Sequence, residues 1–255
     1  MKDKKKILIC IDWYVPGFKA GGPIRSVANI VNAFKHEFDF YILTSAYDLG
    51  ESEAYEDVEL NLWHEQDGVF VKYLEKHLLN SSAIGGNIKE VEPDIIYLNS
   101  LFSRVFTLIP LAIARKNKIK TILAPRGMTG AGALGIKKRK KLSFIKLAKF
   151  LGWYKNVTWH ASTKEEGQSI LKQFGKNSKI VVAQNIPLSQ QLDINNILDR
   201  KNTGKVKFVF ISRITLVKNL NLAIDAFKNV KTDQEVEFDI YGNIEDEEYY
   251  NSFKA

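Results

Sequence analysis

No apolar run in this sequence approaches the roughly 20 residues that a helix needs to span a bilayer, and the longest candidate strands are only a few residues long. The sole cysteine, Cys10, lies inside the first apolar run. One cysteine cannot close an internal disulfide, and its setting points to packing in a reducing compartment. The N-terminus carries Lys2, Lys4, Lys5 and Lys6, then only the five apolar residues Ile7 to Ile11. That run is too short for a secretory signal core, and no small-residue cleavage site follows. The expectation is a cytoplasmic protein, soluble or peripheral at the inner membrane face. The histidines, His36, His64, His77 and His160, are scattered without metal-ligand spacing. No Asp-x-Asp, no Gly-x-Ser-x-Gly and no Walker motif occurs. These absences disfavour metal-dependent sugar transfer, serine hydrolysis and P-loop chemistry. Internal repeats and low-complexity segments are also lacking.

What is present suits a soluble globular protein. Of 255 residues, 45% are hydrophobic and 26% charged, and the formal net charge is +8. A moderately basic chain favours anionic partners without choosing among them. Strand patterns at Ile7–Ile11, Phe38–Thr44, Val69–Leu74, Asp94–Asn99, Thr121–Ala124, Val157–Ala161 and Ile180–Ala183 alternate with helical patterns. The helices are expected at Val27–Phe34, Ser81–Val91, Phe102–Asn117, Lys137–Tyr154 and Lys164–Phe174, with Pro110 a local disturbance. The segment Ser45–Asp67 reads as an acidic loop. Alternation of this kind predicts an α/β fold, a doubly wound parallel sheet with helices on both faces. The expected division is a Rossmann-like domain over residues 1–187, a polar linker over 188–204, and the start of a second Rossmann-like domain over 205–255.

The segment Val206 to Gly242 carries the strongest functional signal. A buried strand, Phe208–Ile211, runs into Ser212 and Arg213; Lys218 follows, then an amphipathic run Leu220–Val230 and a second strand, Val236–Tyr241, ending at Gly242. Open α/β sheets bind ligands outside the carboxyl ends of their strands. Arg213 and Lys218 would stand at that rim beside a helix N-terminus, an arrangement suited to a diphosphate. The first βα loop reads Asp12 to Ser26, with Gly21 and Gly22 permitting close backbone approach and Pro23 suited to the first helical position. Arg25 and Ser26 follow directly. The spacing is not Gly-x-Gly-x-x-Gly, which disfavours a nicotinamide cofactor.

These residues resemble family 4 glycosyltransferases, enzymes with two Rossmann-like domains in the GT-B arrangement. The resemblance rests on the Arg213 to Lys218 spacing and on Gly21-Gly22-Pro23 after the first strand. It implies a retaining hexosyltransferase of polysaccharide biosynthesis. The donor would be a nucleoside-diphosphate sugar, and the acceptor a polysaccharide or lipid-linked saccharide. By the same resemblance Gly21, Gly22, Arg213 and Lys218 would hold the donor diphosphate, and no cofactor or metal ion would be required. Arg25, Asn99, Arg126 and Gly242 would lie at the donor or acceptor cleft. The Pro125-Arg126-Gly127-Met128 run is familiar in a polysaccharide-synthesis branch of the family, where others carry His-Gly. It installs a permanent cation in place of a titratable group. Arg126 would orient an acceptor, neutralise phosphate charge, or pair with an acidic neighbour. Asn99 would bond a sugar hydroxyl or cap its loop. The glutamate pair of the family's donor site falls beyond Ala255, so a chain truncated in its C-terminal domain is expected.

The run Lys137, Lys138, Arg139, Lys140 and Lys141 opens a basic helix. Phe144, Leu147, Ala148, Leu151 and Tyr154 would form its apolar face, with Leu142, Ile145 and Trp153 among the lysines. Such a helix would either dock on an anionic membrane surface or pack on the sheet with solvated lysines. His160 reads as structural. Alternatives to the transferase are a catalytically inactive fragment that keeps acceptor or membrane binding, and an epimerase of the same architecture. Nucleic acid is not expected as a partner, because the lysines cluster at the N-terminus and in one helix instead of forming a stripe.

Overall fold

A computed structural model describes residues 4–135, 138–187, 205–233 and 235–253. The expected linker, 188–204, and Lys137 lie outside the described residues. The chain divides into two compact units, residues 1–188 and 189–255.

The first unit is built on eight strands: β1 (Lys5–Cys10), β2 (Phe38–Ser45), β3 (His64–Gln66), β4 (Val69–Leu74), β5 (Ile95–Asn99), β6 (Lys120–Ala124), β7 (Val157–Ala161) and β8 (Lys179–Val182). They form one sheet in the order β3-β4-β2-β1-β5-β6-β7-β8. All pairings are parallel except β3 with β4. The helices are α1 (Gly22–Phe34), α2 (Ser81–Val91), α3 (Ile109–Lys116), α4 (Ala131–Gly135), α5 (Lys138–Phe150) and α6 (Lys164–Phe174). Successive residues of β1 face opposite layers: Leu8 and Cys10 join the core with Ile84, Ile96 and Phe106, while Ile9 joins Val27, Val31 and Ile42. A strand buried on both faces needs the continuous apolar run seen in the sequence. Chain order reverses at β1, with β2 on one side and β5 on the other. This crevice is the topological switch point at which α/β sheets bind ligands.

The doubly wound sheet agrees with the sequence reading, and the differences have local causes. The acidic segment before Asp67 contains the short edge strand β3, whose three residues carry little apolar signal. Helix α1 begins at Gly22, so the Gly-Gly-Pro run starts the helix itself. The expected helix Phe102–Asn117 is a π turn, Arg104–Leu108, capped by Ser103, followed by α3. Pro110 lies in the first turn of α3, where its missing N–H costs nothing. The basic helix ends at Phe150, because Gly152 turns the chain at φ 61° and Trp153 N–H returns to the Ala148 carbonyl. Its expected apolar face is met in part: Ala148 and Tyr154 are buried and Phe144 packs against the core, but Leu147 and Leu151 are exposed, and Ile145, expected among the lysines, is buried.

The second unit holds β9 (Lys205–Ile211) and β10 (Glu235–Tyr241), paired in parallel, with α7 (Leu220–Lys228) between them and α8 (Glu247–Asn251) after.

One aromatic cluster anchors the β7 end of the first unit. Trp159, 1% exposed, packs on Tyr154 and Phe174 at centroid distances of 5.4 and 4.4 Å. Replacing Trp159 by Ala should cost about 3–5 kcal/mol. Chemical denaturation followed by circular dichroism will show a lower midpoint; an unchanged midpoint would mean that this cluster contributes little.

Candidate functional site

The loops after β1, β5, β6 and β7 leave the carboxyl edge of the sheet and carry a connected set of polar groups. Asp12 follows β1 and accepts the Ser103 hydroxyl at 2.6 Å. Burial raises the Asp12 pKa above its ordinary value, and the Ser103 bond partly offsets this. Asn99 ends β5 and is 1% exposed. Its Oδ1 accepts Arg126 Nε at 3.1 Å, and its Nδ2 has no partner among the described residues. Ser100 follows at φ 76°, turning the loop out of the sheet.

Arg126 and Gly127, after β6, take left-handed conformations at φ 52° and 79°. The strain at Arg126 is offset by Glu166 of α6, which is 9% exposed. One Glu166 oxygen accepts Gly127 N–H at 2.6 Å, and the other accepts the backbone N–H and hydroxyl of Ser162, both at 2.7 Å. Thr163 in turn caps α6 by accepting Glu166 N–H at 3.1 Å.

The Arg126 side chain bridges β5 and the stretch after β8. Its terminal nitrogens donate to Tyr97 OH at 3.1 Å and to Asn185 Oδ1 at 2.8 Å. Tyr97 is bonded to His160 Nδ1 at 2.7 Å, and His160 Nε2 to the Ala183 carbonyl at 2.9 Å. A carbonyl only accepts, so Nε2 bears the hydrogen; neutral His160 then accepts the Tyr97 hydroxyl at Nδ1. Burial, the larger effect, lowers the His160 pKa from its ordinary value and favours this neutral form. His160 is thus held between the Ala183 carbonyl and Tyr97, a residue that sequence reasoning missed. Tyr97 and Glu166 lie inside a strand and a helix, where nothing in the pattern separates them from packing residues.

The Gly21–Gly22 loop is shaped by a further residue that went unrecognised. Buried Asp48, beyond β2, accepts the N–H groups of Phe18 and Lys19 at 2.9 and 3.1 Å. Gly21 sits at φ 70°, a conformation that favours glycine, and the space around its missing Cβ is open. Arg25 is exposed on the first turn of α1. In this unit the structure joins Asn99 and Arg126 directly, and places Gly21 at the end of the β1 loop and Gly22 and Arg25 on the first turn of α1, at the same edge. Lys138, Arg139 and Lys140 are exposed on α5. Lys141 instead donates to the Ala133 carbonyl and lies 5.6 Å from the Phe102 ring, and Trp153 is partly buried against the core.

In the second unit Arg213 follows β9 and its terminal nitrogen meets both oxygens of Glu245, at 2.8 and 2.9 Å. Lys218 is exposed at the end of a 3-10 turn, Leu216–Lys218. The two loops continue the parallel ladder beyond the strands: Ser212 N–H meets the Tyr241 carbonyl and Ile214 N–H the Asn243 carbonyl. This crossing brings Gly242, at φ 158°, against Ser212. A Cβ there would collide with the Ser212 carbonyl oxygen and lie 2.6 Å from its carbon.

The class that fold and edge define is a Rossmann-like α/β protein, with its polar groups gathered at the carboxyl edge of a parallel sheet. Among solved structures the chain is similar to HepE of Anabaena, determined in complex with UDP and glucose. That match has a TM-score of 0.66 at 12% identity, and covers 99% of this chain and 65% of HepE. MnaA of S. aureus, determined with UDP, matches with a TM-score of 0.48 at 14% identity, over 97% of this chain and 65% of MnaA. The chain thus spans just under two thirds of each. At such identity the likeness to HepE is one of fold. No family model and no curated protein sequence matches the chain.

Replacing Gly242 by Ala should force the Arg213 loop away from the β10 loop and destabilise the second unit by at least about 1–3 kcal/mol. Hydrogen exchange will report it as lost protection at Ser212 and Ile214; retained protection would show that the loops tolerate a side chain.

Proposed function

We propose that this chain belongs to a sugar-transferring enzyme. A nucleoside-diphosphate sugar is the donor, a polysaccharide or lipid-linked saccharide the acceptor, and the anomeric configuration is retained. The observation that carries the reading is the convergence of Asn99, Arg126 and the Gly21–Gly22 loop on one carboxyl edge. The fold shared with HepE, a protein solved with UDP and glucose, supports it.

In this reading Arg213 and Lys218 hold the donor diphosphate. Fixed cations there would stabilise charge growing on the departing diphosphate, and no metal ion is needed for that task. Arg213 already has a carboxylate partner, Glu245, which the diphosphate would replace. Calorimetric titration with UDP, GDP and ADP should give saturable binding of one nucleotide. The affinity should fall about tenfold or more in Arg213→Ala and in Lys218→Ala, the size of one charge-assisted contact. No binding by folded protein would remove the donor assignment for this chain.

A second reading, an inactive piece that keeps acceptor or membrane binding, draws on α5. No described helix is long and apolar enough to cross a membrane. Yet Phe150 is 87% exposed and Leu147 53%, flanked by exposed Lys146 and Lys149. Leu147, Phe150 and Leu151 follow the i, i+3, i+4 spacing of one helix face. Apolar side chains among lysines suit an anionic interface, where each Lys adds about 1 kcal/mol. Flotation with phosphatidylserine vesicles should carry the chain, and Leu147→Ser with Phe150→Ser should release it. Equal recovery with neutral vesicles would argue against the basic helix as the contact.

A further inference from the structure

Arg126 has five N–H donors, and three are spent on neutral acceptors: Asn99 Oδ1, Asn185 Oδ1 and Tyr97 OH. Two donors, one on each terminal nitrogen, have no partner among the described residues. No carboxylate there pairs with this guanidinium. Glu166, whose backbone clamp shapes the loop, spends its oxygens on Gly127 and Ser162. The contrast with Arg213, neutralised by Glu245, is direct. The charge of Arg126 is fixed in direction yet not compensated, and it is only partly buried.

The bond directions behind it are also set. Ala183 can only accept, so His160 donates from Nε2 and accepts at Nδ1. Tyr97 must therefore give its hydrogen to His160 and turn a lone pair to Arg126. Replacing Tyr97 would leave the guanidinium a rotor held at fewer points, and replacing His160 would free the Tyr97 hydroxyl to turn.

We propose that Arg126 is the receptor for an oxyanion, a carboxylate or phosphate carried by the acceptor saccharide, and that Tyr97 and His160 are its positioning residues. The word acceptor rests on the transferase reading; the oxyanion site does not. A planar guanidinium with a free donor on each terminal nitrogen matches two oxygens of one anion. The cations assigned to the donor diphosphate, Arg213 and Lys218, belong to the other unit.

The test is equilibrium binding to the whole chain, by calorimetry or NMR, of glucuronate, glucose 6-phosphate, glucose and inorganic phosphate, without any donor. At least one acidic sugar should bind about tenfold more tightly than glucose, the worth of one charge-assisted contact. Which acidic sugar binds identifies the anion as carboxylate or phosphate. Arg126→Gln should erase the preference. Tyr97→Phe, which keeps the ring, should shrink it severalfold; a purely structural role would lower the melting temperature and leave the ratio of acidic to neutral binding unchanged. Equal binding of all four probes overturns the proposal. Inorganic phosphate binding as tightly as the sugar phosphate, or displacement of the acidic sugar by UDP, overturns the acceptor assignment. Since no donor is present, the outcome is independent of whether the chain binds nucleotide or transfers sugar.

Discussion

The parallel pairing of β1 with both β2 and β5 is the constraint on which the first unit depends. A central strand buried on two faces has no polar side to offer solvent, so helices must cover it above and below. Each helix then returns the chain to the start of the next parallel strand. All βα loops are thereby delivered to one edge, and the reversal of order at β1 opens a crevice there. Asp12, Asn99 and Arg126 come together because their strands are neighbours or next neighbours, although the residues are far apart in sequence.

Within that edge the polar groups act as one network. Glu166 stabilises a left-handed backbone that presents Arg126, while Asn99, Tyr97 and Asn185 hold its side chain. His160 fixes the hydrogen-bond direction one step further back. Buried polar groups are costly unless partnered, so each member restricts the others to a single arrangement. The exception is the Asn99 amide nitrogen, which lacks a partner among the described residues.

The second unit is a smaller instance of the same geometry. Two parallel strands and a crossover helix bring Arg213 and Lys218 to a carboxyl edge. Only glycine fits at position 242, because the two loops extend the ladder past the strands and touch. Many large apolar side chains of this unit are well exposed, Ile211 at 80% and Leu216 at 67% among them.

The sequence by itself determined the alternation of strands and helices, hence the doubly wound sheet, because period and apolar content are local properties. Helices Ser81–Val91 and Lys164–Phe174 and strand Val157–Ala161 fall where their patterns place them. Asn99 and Arg126 were legible as edge residues, since strand ends can be read from where apolar runs stop. Tertiary structure decided the rest. Tyr97 and Glu166 acquire their roles from groups in other strands and helices, and no local pattern encodes such a partner. The buried side of α5 was likewise set by packing: a helix with apolar residues around most of its circumference has several candidate faces, and Ile145 joined Ala148 in the core while Leu147 and Leu151 stayed outside. The direction of the Arg126 guanidinium depends on bonds from three separate segments, β5, β7 and the stretch after β8, and so exists only in the folded chain.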